Sequence, residues 1–108
     1  MMRYTAEELR GFAARIMEKA GLSPAARDIF SDSLVQADLR GISSHGVTRL
    51  AAYAKRVELG LVDGRAVPEL LADGGSLLSV DGKNGMGAYV GAWTMDLCIQ
   101  CARERGSC

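Results

Sequence analysis

The sequence predicts an α/β fold in which a three-helix segment comes first and a strand and a fourth helix follow. Apolar residues recur at helical spacing through the first half of the chain, and a stretch rich in glycine comes next. A short apolar run then precedes Asp81-Gly82, which is the pattern of a strand entering a turn. A single strand has unpaired backbone groups on both edges. We therefore expect an incomplete fold over these 108 residues, with the partners of the strand in further chain or in another subunit.

The first helix is predicted over Ala6–Ala20. Thr5, with Glu8 three residues later, has the form of a capping box, and Gly21 supplies a stop signal. The residues expected to form the buried stripe of this helix share helical spacing: Leu9, Phe12, Ala13, Ile16, Met17 and Ala20.

Three more helices are predicted along the chain. The second covers Pro24–Arg40, with Ser23 as N-cap and proline at the first helical position, where its missing N–H costs nothing. The third covers Val47–Leu59 and the fourth follows Gly87, ending at Gly106.

Helix-breaking residues between positions 60 and 75 indicate connecting structure and a domain boundary. These residues are Gly60, Gly64, Pro68, Gly74 and Gly75. We predict residues 1–60 as the helical part of one domain, 61–76 as a connector and 77–108 as the start of a second domain. The second domain would open with the strand Leu77–Val80.

The composition excludes several classes of partner. Thirteen basic and thirteen acidic residues cancel, so nothing attracts the chain generally to nucleic acid or to an anionic membrane. The first residues turn acidic before any apolar run, unlike a secretory signal. Three cysteines, all in the last eleven residues, do not make a disulfide framework. We expect a reduced, cytoplasmic protein without a nucleic-acid or membrane partner.

Two local patterns are interpreted structurally. Cys98 and Cys101 lie near the end of a predicted helix, where the helix dipole does not stabilise a thiolate, so we expect core thiols and no metal site. The glycines at 82, 85 and 87 lack the dinucleotide-binding spacing. We expect them to serve a turn with positive φ values, and Gly91 to serve close helix packing.

The only histidine of the chain, His45, lies at the mouth of the third predicted helix, in a basic stretch. The chain has no acidic residue between Asp38 and Glu58, and the cations in that interval are Arg40, Arg49, Lys55 and Arg56. His45 and Arg49 are four residues apart and would share one helix face. The helix N-terminus adds unpaired N–H groups and a positive dipole end.

A small carboxylate could bind in this stretch, with Arg49 as a bidentate clamp and the His45 imidazole within reach. Such a pair suits the reduction of a 2-oxo acid, in which hydride reaches the carbonyl carbon and a positioned acid protonates the oxygen. The plainer alternative is that both are solvated or hydrogen-bonded residues on a helix surface, because a single His–Arg pair is a weak motif.

Two ordered blocks of the sequence resemble the malate/L-lactate dehydrogenase family, which has a cofactor fold of its own and not a Rossmann fold. The first block is Asp38-Leu39-Arg40-Gly41-Ile42-x-Ser44-His45-Gly46-Val47-x-Arg49-Leu50-x-x-Tyr53. The second is Val80-Asp81-Gly82-x-Asn84-Gly85-x-Gly87-x-x-Val90-Gly91. That family includes ureidoglycolate, sulfolactate and diketogulonate-type oxidoreductases and cyclic-imine carboxylate reductases.

The resemblance implies an oxidoreductase that transfers a hydride between NAD or NADP and a small 2-hydroxy or 2-oxo acid. Ser44 and Arg49 would contact the substrate, and His45 would be the proton donor or, as in other members, a binding residue only. The helices would belong to the substrate domain, and the strand and fourth helix would open the cofactor domain. The family is dimeric.

The family's chains are roughly three times longer, the size of a two-domain enzyme. The main cofactor contacts would therefore lie beyond residue 108, and this chain alone is expected to be inactive. A different class of function is also open, namely a non-catalytic helical interaction module whose apolar helix faces bind a partner.

Overall fold

Four helices and a two-stranded sheet follow one another along residues 2–108, which the computed structural model describes. The helices are α1 (Ala6–Ala20), α2 (Pro24–Leu39), α3 (Leu50–Glu58) and α4 (Gly87–Arg105). The strands are β1 (Glu69–Asp73) and β2 (Leu78–Asp81). Two short 3₁₀ turns, Ser43–His45 and Val47–Arg49, lie between α2 and α3. The predicted α/β architecture, in which three helices come first and a strand and a fourth helix follow, is confirmed, and β1 is a strand in addition to those predicted.

The helix ends form as the sequence predicts. The Glu8 N–H donates to Thr5 Oγ1 and the Thr5 N–H donates to Glu8 Oε2, both at 3.1 Å, which completes the capping box of α1. Gly21 ends that helix with φ of 108°, a left-handed conformation that glycine adopts without strain. The Ser23 hydroxyl accepts the Ala26 N–H and caps α2.

One apolar core joins the helices. Its buried members are Ala13, Met17, Leu22, Ala26, Phe30, Leu34, Leu50, Ala54, Val57 and Met86. Phe12 is an exception among the residues predicted to be buried, because 51% of its surface is exposed. Ala13 and Met17 face the core formed with α2 and α3. Phe12 precedes Ala13 by one residue and so lies about 100° away around the helix, outside this buried face. Met86 brings the start of α4 to this core.

The third predicted helix is shorter than expected. Residues Val47–Arg49 form a 3₁₀ turn, and the α-helix begins only at Leu50. Gly46, with φ of −91° and ψ of −154°, is extended and separates the two 3₁₀ turns. The sequence analysis expected His45 and Arg49 to share a face of one helix, and this expectation is wrong. Each belongs to its own turn.

The expectation that β2 lacks a partner within the chain is wrong. β1, which lies inside the predicted connector, pairs with β2 in an antiparallel ladder running from Glu69↔Asp81 to Asp73↔Leu78. An irregularity between Leu70 and Ala72 shifts the register. The sequence of β1 is Glu-Leu-Leu-Ala-Asp, in which three consecutive apolar residues replace the apolar–polar alternation from which a half-buried strand is predicted, and all five residues are exposed. The predicted domain limits stay a prediction.

An ion pair ties the end of α4 to this hairpin. Arg105 Nη1 and Nη2 donate to the two carboxylate oxygens of Asp73 at 2.5 and 2.8 Å, and Nη1 also donates to the Gly75 carbonyl. The Arg105 guanidinium, followed by the Gly75 N–H, lowers the pKa of Asp73 to about 2. The bidentate geometry holds the hairpin against the last turn of α4.

The glycine-rich loop between β2 and α4 differs from the sequence interpretation. Its positive φ values belong to Lys83 (55°) and Asn84 (57°), and not to its glycines. Gly82 and Gly85 instead allow close approach, because added Cβ atoms would lie 3.0 Å from Val90 and 3.1 Å from Ala66. The close packing predicted at Gly91 is wrong, since a Cβ there would meet no atom of the described residues within 4 Å.

The cysteines are all free thiols. Cys101 is buried, with its thiol donating to the Gly75 carbonyl at 3.2 Å, and Cys98 is half-buried. Contact with the Cys101 thiol, together with desolvation and the Cys98 thiol, raises the pKa of the exposed Cys108 to about 12. Among residues 2–108 no helix combines the length and the apolar character that a bilayer crossing requires.

Candidate functional site

The segment between α2 and α3 is held by its own backbone. The Ile42 N–H donates to the Ala37 carbonyl at 2.8 Å, which folds the chain back at the end of α2. The His45 N–H then donates to the Ile42 carbonyl at 3.0 Å. These contacts bring the Ser-His-Gly sequence close to the side of α2 from which Phe30 and Leu34 project.

Ser44 contacts both of the other predicted site residues. Its hydroxyl lies 2.9 Å from His45 Nδ1, and its carbonyl oxygen accepts the Arg49 Nε–H at 2.8 Å. The first contact occupies one nitrogen of the imidazole, and the second orients the guanidinium while its two terminal amino groups stay available for a ligand. Ser44 thus holds both side chains in place.

His45 and Arg49 line one cavity of about 300 Å³. Both are exposed at their outer surface, as a residue that meets a ligand from solvent must be. The complete lining is Phe30, Ser33, Leu34, His45, Arg49, Tyr53, Met86, Gly87 and Ala88. A cavity of this volume suits a small organic acid. The proximity that the sequence attributed to a shared helix face is therefore real, although two turns and not one helix produce it.

The first turn of α4, which is distant in sequence from His45 and Arg49, forms one wall of the cavity. Gly87 and Ala88 lie in it, and the N-cap residue Met86 makes no side-chain capping hydrogen bond. The first N–H groups of a helix lack intrahelical partners and form the positive end of its dipole. The positive end of the α4 dipole therefore lies at the same cavity as the Arg49 guanidinium.

Tyr53 supplies an aromatic wall. Its ring packs edge-on against Phe30, with centroids 5.2 Å apart, and the Arg56 guanidinium lies 5.3 Å from its centroid on the outside. The aromatic pair and the cation fix the ring in one orientation.

His45 also borders a second, shallower groove. This groove is lined by Ser33, Gln36, Ala37, Arg40, Ile42 and His45. Arg40 lines this groove and does not line the cavity that contains Arg49. Of the three predicted site residues, His45 and Arg49 line the cavity of about 300 Å³, whereas Ser44 lines neither this cavity nor the groove and reaches the site through its two hydrogen bonds.

Sequence reasoning missed several walls of the cavity. Tyr53 could have been found, because it follows Arg49 by four residues on the same helical stretch. Phe30 lies within the predicted second helix, where its sequence does not distinguish a residue that lines a cavity from one that only packs in the core. No local signal points to Met86, Gly87 and Ala88, since they reach the cavity only through the packing of α4 on α2.

Comparison with known proteins decides the family. The family model described as malate/L-lactate dehydrogenase matches residues 4–108. The chain belongs to the malate/L-lactate dehydrogenase family.

Relatives within this family agree in sequence and in structure. Malate dehydrogenase from Pyrococcus abyssi is 36% identical over 105 residues, which is 97% of this chain and 29% of that protein. The structure of malate dehydrogenase from Pyrococcus horikoshii OT3 superposes with a TM-score of 0.92 at 35% identity, covering 97% of this chain and 30% of that one. Delta1-piperideine-2-carboxylate reductase from Pseudomonas syringae pvar. tomato gives a TM-score of 0.87 at 30% identity, covering 96% and 31%.

The chain therefore spans about 30% of the length of the malate/L-lactate dehydrogenase relatives that it matches. Nearly all of its own residues are aligned in each comparison. Both sequence blocks that resembled the family, the one around His45 and the one around Gly85, lie inside the matched range.

Proposed function

We propose that this chain provides the substrate-carboxylate site of an oxidoreductase that transfers a hydride between NAD or NADP and a small 2-hydroxy or 2-oxo acid, or a related cyclic imino acid. The observation that carries the proposal is the convergence of Arg49, His45 and the first turn of α4 on one cavity of about 300 Å³. Two relatives, a malate dehydrogenase and a delta1-piperideine-2-carboxylate reductase, support a substrate with a carboxylate next to the reacting carbon.

Arg49 is the proposed carboxylate clamp. With its Nε–H donated to the Ser44 carbonyl, the two terminal amino groups can meet the two oxygens of a carboxylate. The first N–H groups of α4, in the turn whose Gly87 and Ala88 also line the cavity, would add further donors. These donors orient the acid and place its second carbon near the imidazole.

His45 is the proposed proton donor. Its Nδ1 is in contact with the Ser44 hydroxyl, so Nε2 is the nitrogen left to face the substrate oxygen. In reduction, the proton held at Nε2 would pass to the carbonyl oxygen of the 2-oxo acid, and in oxidation the same nitrogen would take the hydroxyl proton. The Ser44 hydroxyl fixes the orientation of the ring. It is also the group through which Ser44 is proposed to contact the substrate.

The described residues fit the small acid but not the dinucleotide. The cavity is too small for a dinucleotide. The space beside Gly82 and Gly85, in the loop before α4, is occupied by the side chains of Val90 and Ala66. NAD or NADP would therefore bind to the part of the family's length that this chain does not cover. Consistent with this, we expect no turnover by the 108-residue chain alone.

We further propose that the full-length enzyme is a homodimer in a reducing, cytoplasmic compartment. Free thiols at Cys98, Cys101 and Cys108 are typical of such a compartment. Leu77 and Met95 are 76% and 57% exposed, which leaves apolar surface that a partner subunit or additional chain could cover. The alternative, an interaction module without catalysis, has only this exposed apolar surface in its favour.

The carboxylate site can be tested on the chain itself. We would titrate the ¹⁵N-labelled protein with L-lactate and follow the Arg49 side chain, the His45 ring and the amides of Gly87 and Ala88 by NMR. The expected result is saturable shifts at these positions, with a dissociation constant in the range of about 1 mM that a few polar contacts provide.

L-lactamide is the matched control, because it has the same size but no negative charge. It should leave these resonances unchanged. Equal shifts with both compounds, or lactate shifts that are scattered over the surface, would contradict a carboxylate site at Arg49.

A further inference from the structure

Asp38, in the last turn of α2, contacts the segment that carries the site without lining the cavity. Its Oδ2 accepts the Val47 N–H at 2.9 Å in a partly buried position. Val47 opens the second 3₁₀ turn, so this bond caps the turn from outside, as an N-cap carboxylate does for a helix. Asp38 also accepts the Gly41 N–H at its main-chain carbonyl, at 3.0 Å.

The same carboxylate lies directly against Gly46. A Cβ built on Gly46 would overlap Oδ1, Oδ2 and Cγ of Asp38. Gly46 has φ of −91°, which every residue can adopt, so its backbone conformation does not require glycine. The space that the Asp38 carboxylate occupies does require it.

We propose that Asp38 is a positioning residue that sets the relative placement of His45 and Arg49. The two side chains belong to different 3₁₀ turns, and the extended residue Gly46 is the only residue between those turns. We call Gly46 the joint between the turns. The Asp38 carboxylate contacts the joint itself and accepts the N–H of the next residue, Val47. What it positions rests on the proposed function, namely the carboxylate site.

Two further contacts cross the joint and depend on its geometry. The Thr48 hydroxyl donates to the Ser43 carbonyl at 3.1 Å, and Arg49 Nε donates to the Ser44 carbonyl at 2.8 Å. Both join a residue of the second turn to a carbonyl of the first. If the joint opens, the Arg49 bond lengthens and the guanidinium loses its direction toward the cavity.

The test measures the joint without any ligand. In the 108-residue chain, NMR reports hydrogen exchange at Arg49 Nε–H and the ¹⁵N shifts of the His45 ring, while thermal unfolding reports overall stability. Asp38→Ala should speed Nε–H exchange about tenfold, the worth of one charge-assisted hydrogen bond. Asp38→Asn keeps the shape and an acceptor oxygen but loses the charge, so it should restore most of the wild-type protection. Asp63→Ala is the matched control, because Asp63 accepts one loop N–H, from Arg65, away from the site.

If Asp38 contributed only to overall stability, Asp38→Ala would lower the melting temperature and leave the Arg49 Nε–H exchange and the His45 ring shifts unchanged. Wild-type Nε–H exchange and His45 shifts in a folded Asp38→Ala protein would overturn the proposal, as would the same changes in Asp63→Ala. If Asp38→Ala does not unfold cooperatively, Asp38→Glu decides, since it keeps the charge and the helix but moves the oxygens by one methylene. Fast Nε–H exchange in folded Asp38→Glu supports the proposal, and unchanged exchange overturns it.

A second measurement separates this inference from the proposed function. The same proteins would be titrated with L-lactate. Failure of lactate to bind even the wild-type chain counts against the carboxylate site, whereas the Nε–H exchange still decides whether Asp38 positions Arg49. If lactate binds, its affinity should fall about tenfold in Asp38→Ala and return in Asp38→Asn.

Discussion

The Nε–H of Arg49 donates to the main-chain carbonyl of Ser44 at 2.8 Å, so the residue next to the histidine fixes the direction of the guanidinium. The Ser44 hydroxyl is 2.9 Å from His45 Nδ1. One serine therefore connects the proposed clamp and the proposed proton donor. Because the guanidinium is planar and its Nε is already engaged, its terminal amino groups form a fork of known orientation.

Replacing Arg49 with lysine should weaken carboxylate binding although the charge is kept. A lysine ammonium has neither the planar fork nor an Nε to donate to Ser44. In an enzyme of the family's full length that carries residues 4–108, Arg49→Lys should raise KM for the acid about 10-fold or more with cofactor affinity almost unchanged. Arg65→Lys, an exposed arginine outside the cavity, is the control. An unchanged KM in Arg49→Lys would remove the clamp assignment.

Replacing His45 with alanine separates the two roles open to this histidine. If its imidazole donates the proton, His45→Ala in the same full-length enzyme should lower kcat by about 10²–10⁴, the usual contribution of a positioned acid. If it only binds substrate, the change should act mostly on KM. We expect the loss in kcat, because the Ser44 contact orients the ring. Wild-type values of both constants would refute the assignment of His45 to the site.

Acid should weaken the contact between the hairpin and α4. The Arg105 guanidinium lowers the pKa of Asp73 from an ordinary 3.8 to about 2, so the carboxylate stabilises the folded state fully above its unfolded pKa. This contribution is lost as the pH falls from about 4 toward 2. Melting temperatures of wild type and Asp73→Asn should therefore differ at pH 6 and converge near pH 2. A difference that persists at pH 2 would show that the ion pair is not its cause.

Two glycines should respond to alanine in opposite directions. Gly91 lies inside α4 with no atom of the described residues within 4 Å of an added Cβ, so Gly91→Ala should stabilise the chain by about 0.4–1 kcal/mol. At Gly64 the added atom would lie 2.5 Å from the Gly21 carbonyl oxygen, and relief requires backbone movement. Gly64→Ala should destabilise by about 1–3 kcal/mol. Urea unfolding of both variants measures the two signs, and a stabilising Gly64→Ala would contradict the packing described around Gly21.

Much of the helical architecture follows from the sequence alone, because the signals are local. The capping box of Thr5 and Glu8, the proline after Ser23 and the left-handed Gly21 act within one turn of the residues that they affect. The bounds of α1 are those predicted, and α2 differs by a single residue. His45 and Arg49 could be singled out in the same way, by their spacing in a stretch without acidic residues.

The tertiary structure decided how these residues meet. The extended Gly46 between two 3₁₀ turns depends on the Asp38 carboxylate, which approaches from α2 and occupies the space of a side chain. The N-terminal turn of α4 reaches the cavity only because Met86 packs into the helical core. β1 has no apolar periodicity and exists through its pairing with β2. Each of these features rests on contacts that reach beyond a single helical turn, and the propensity of individual residues carries no information about such contacts.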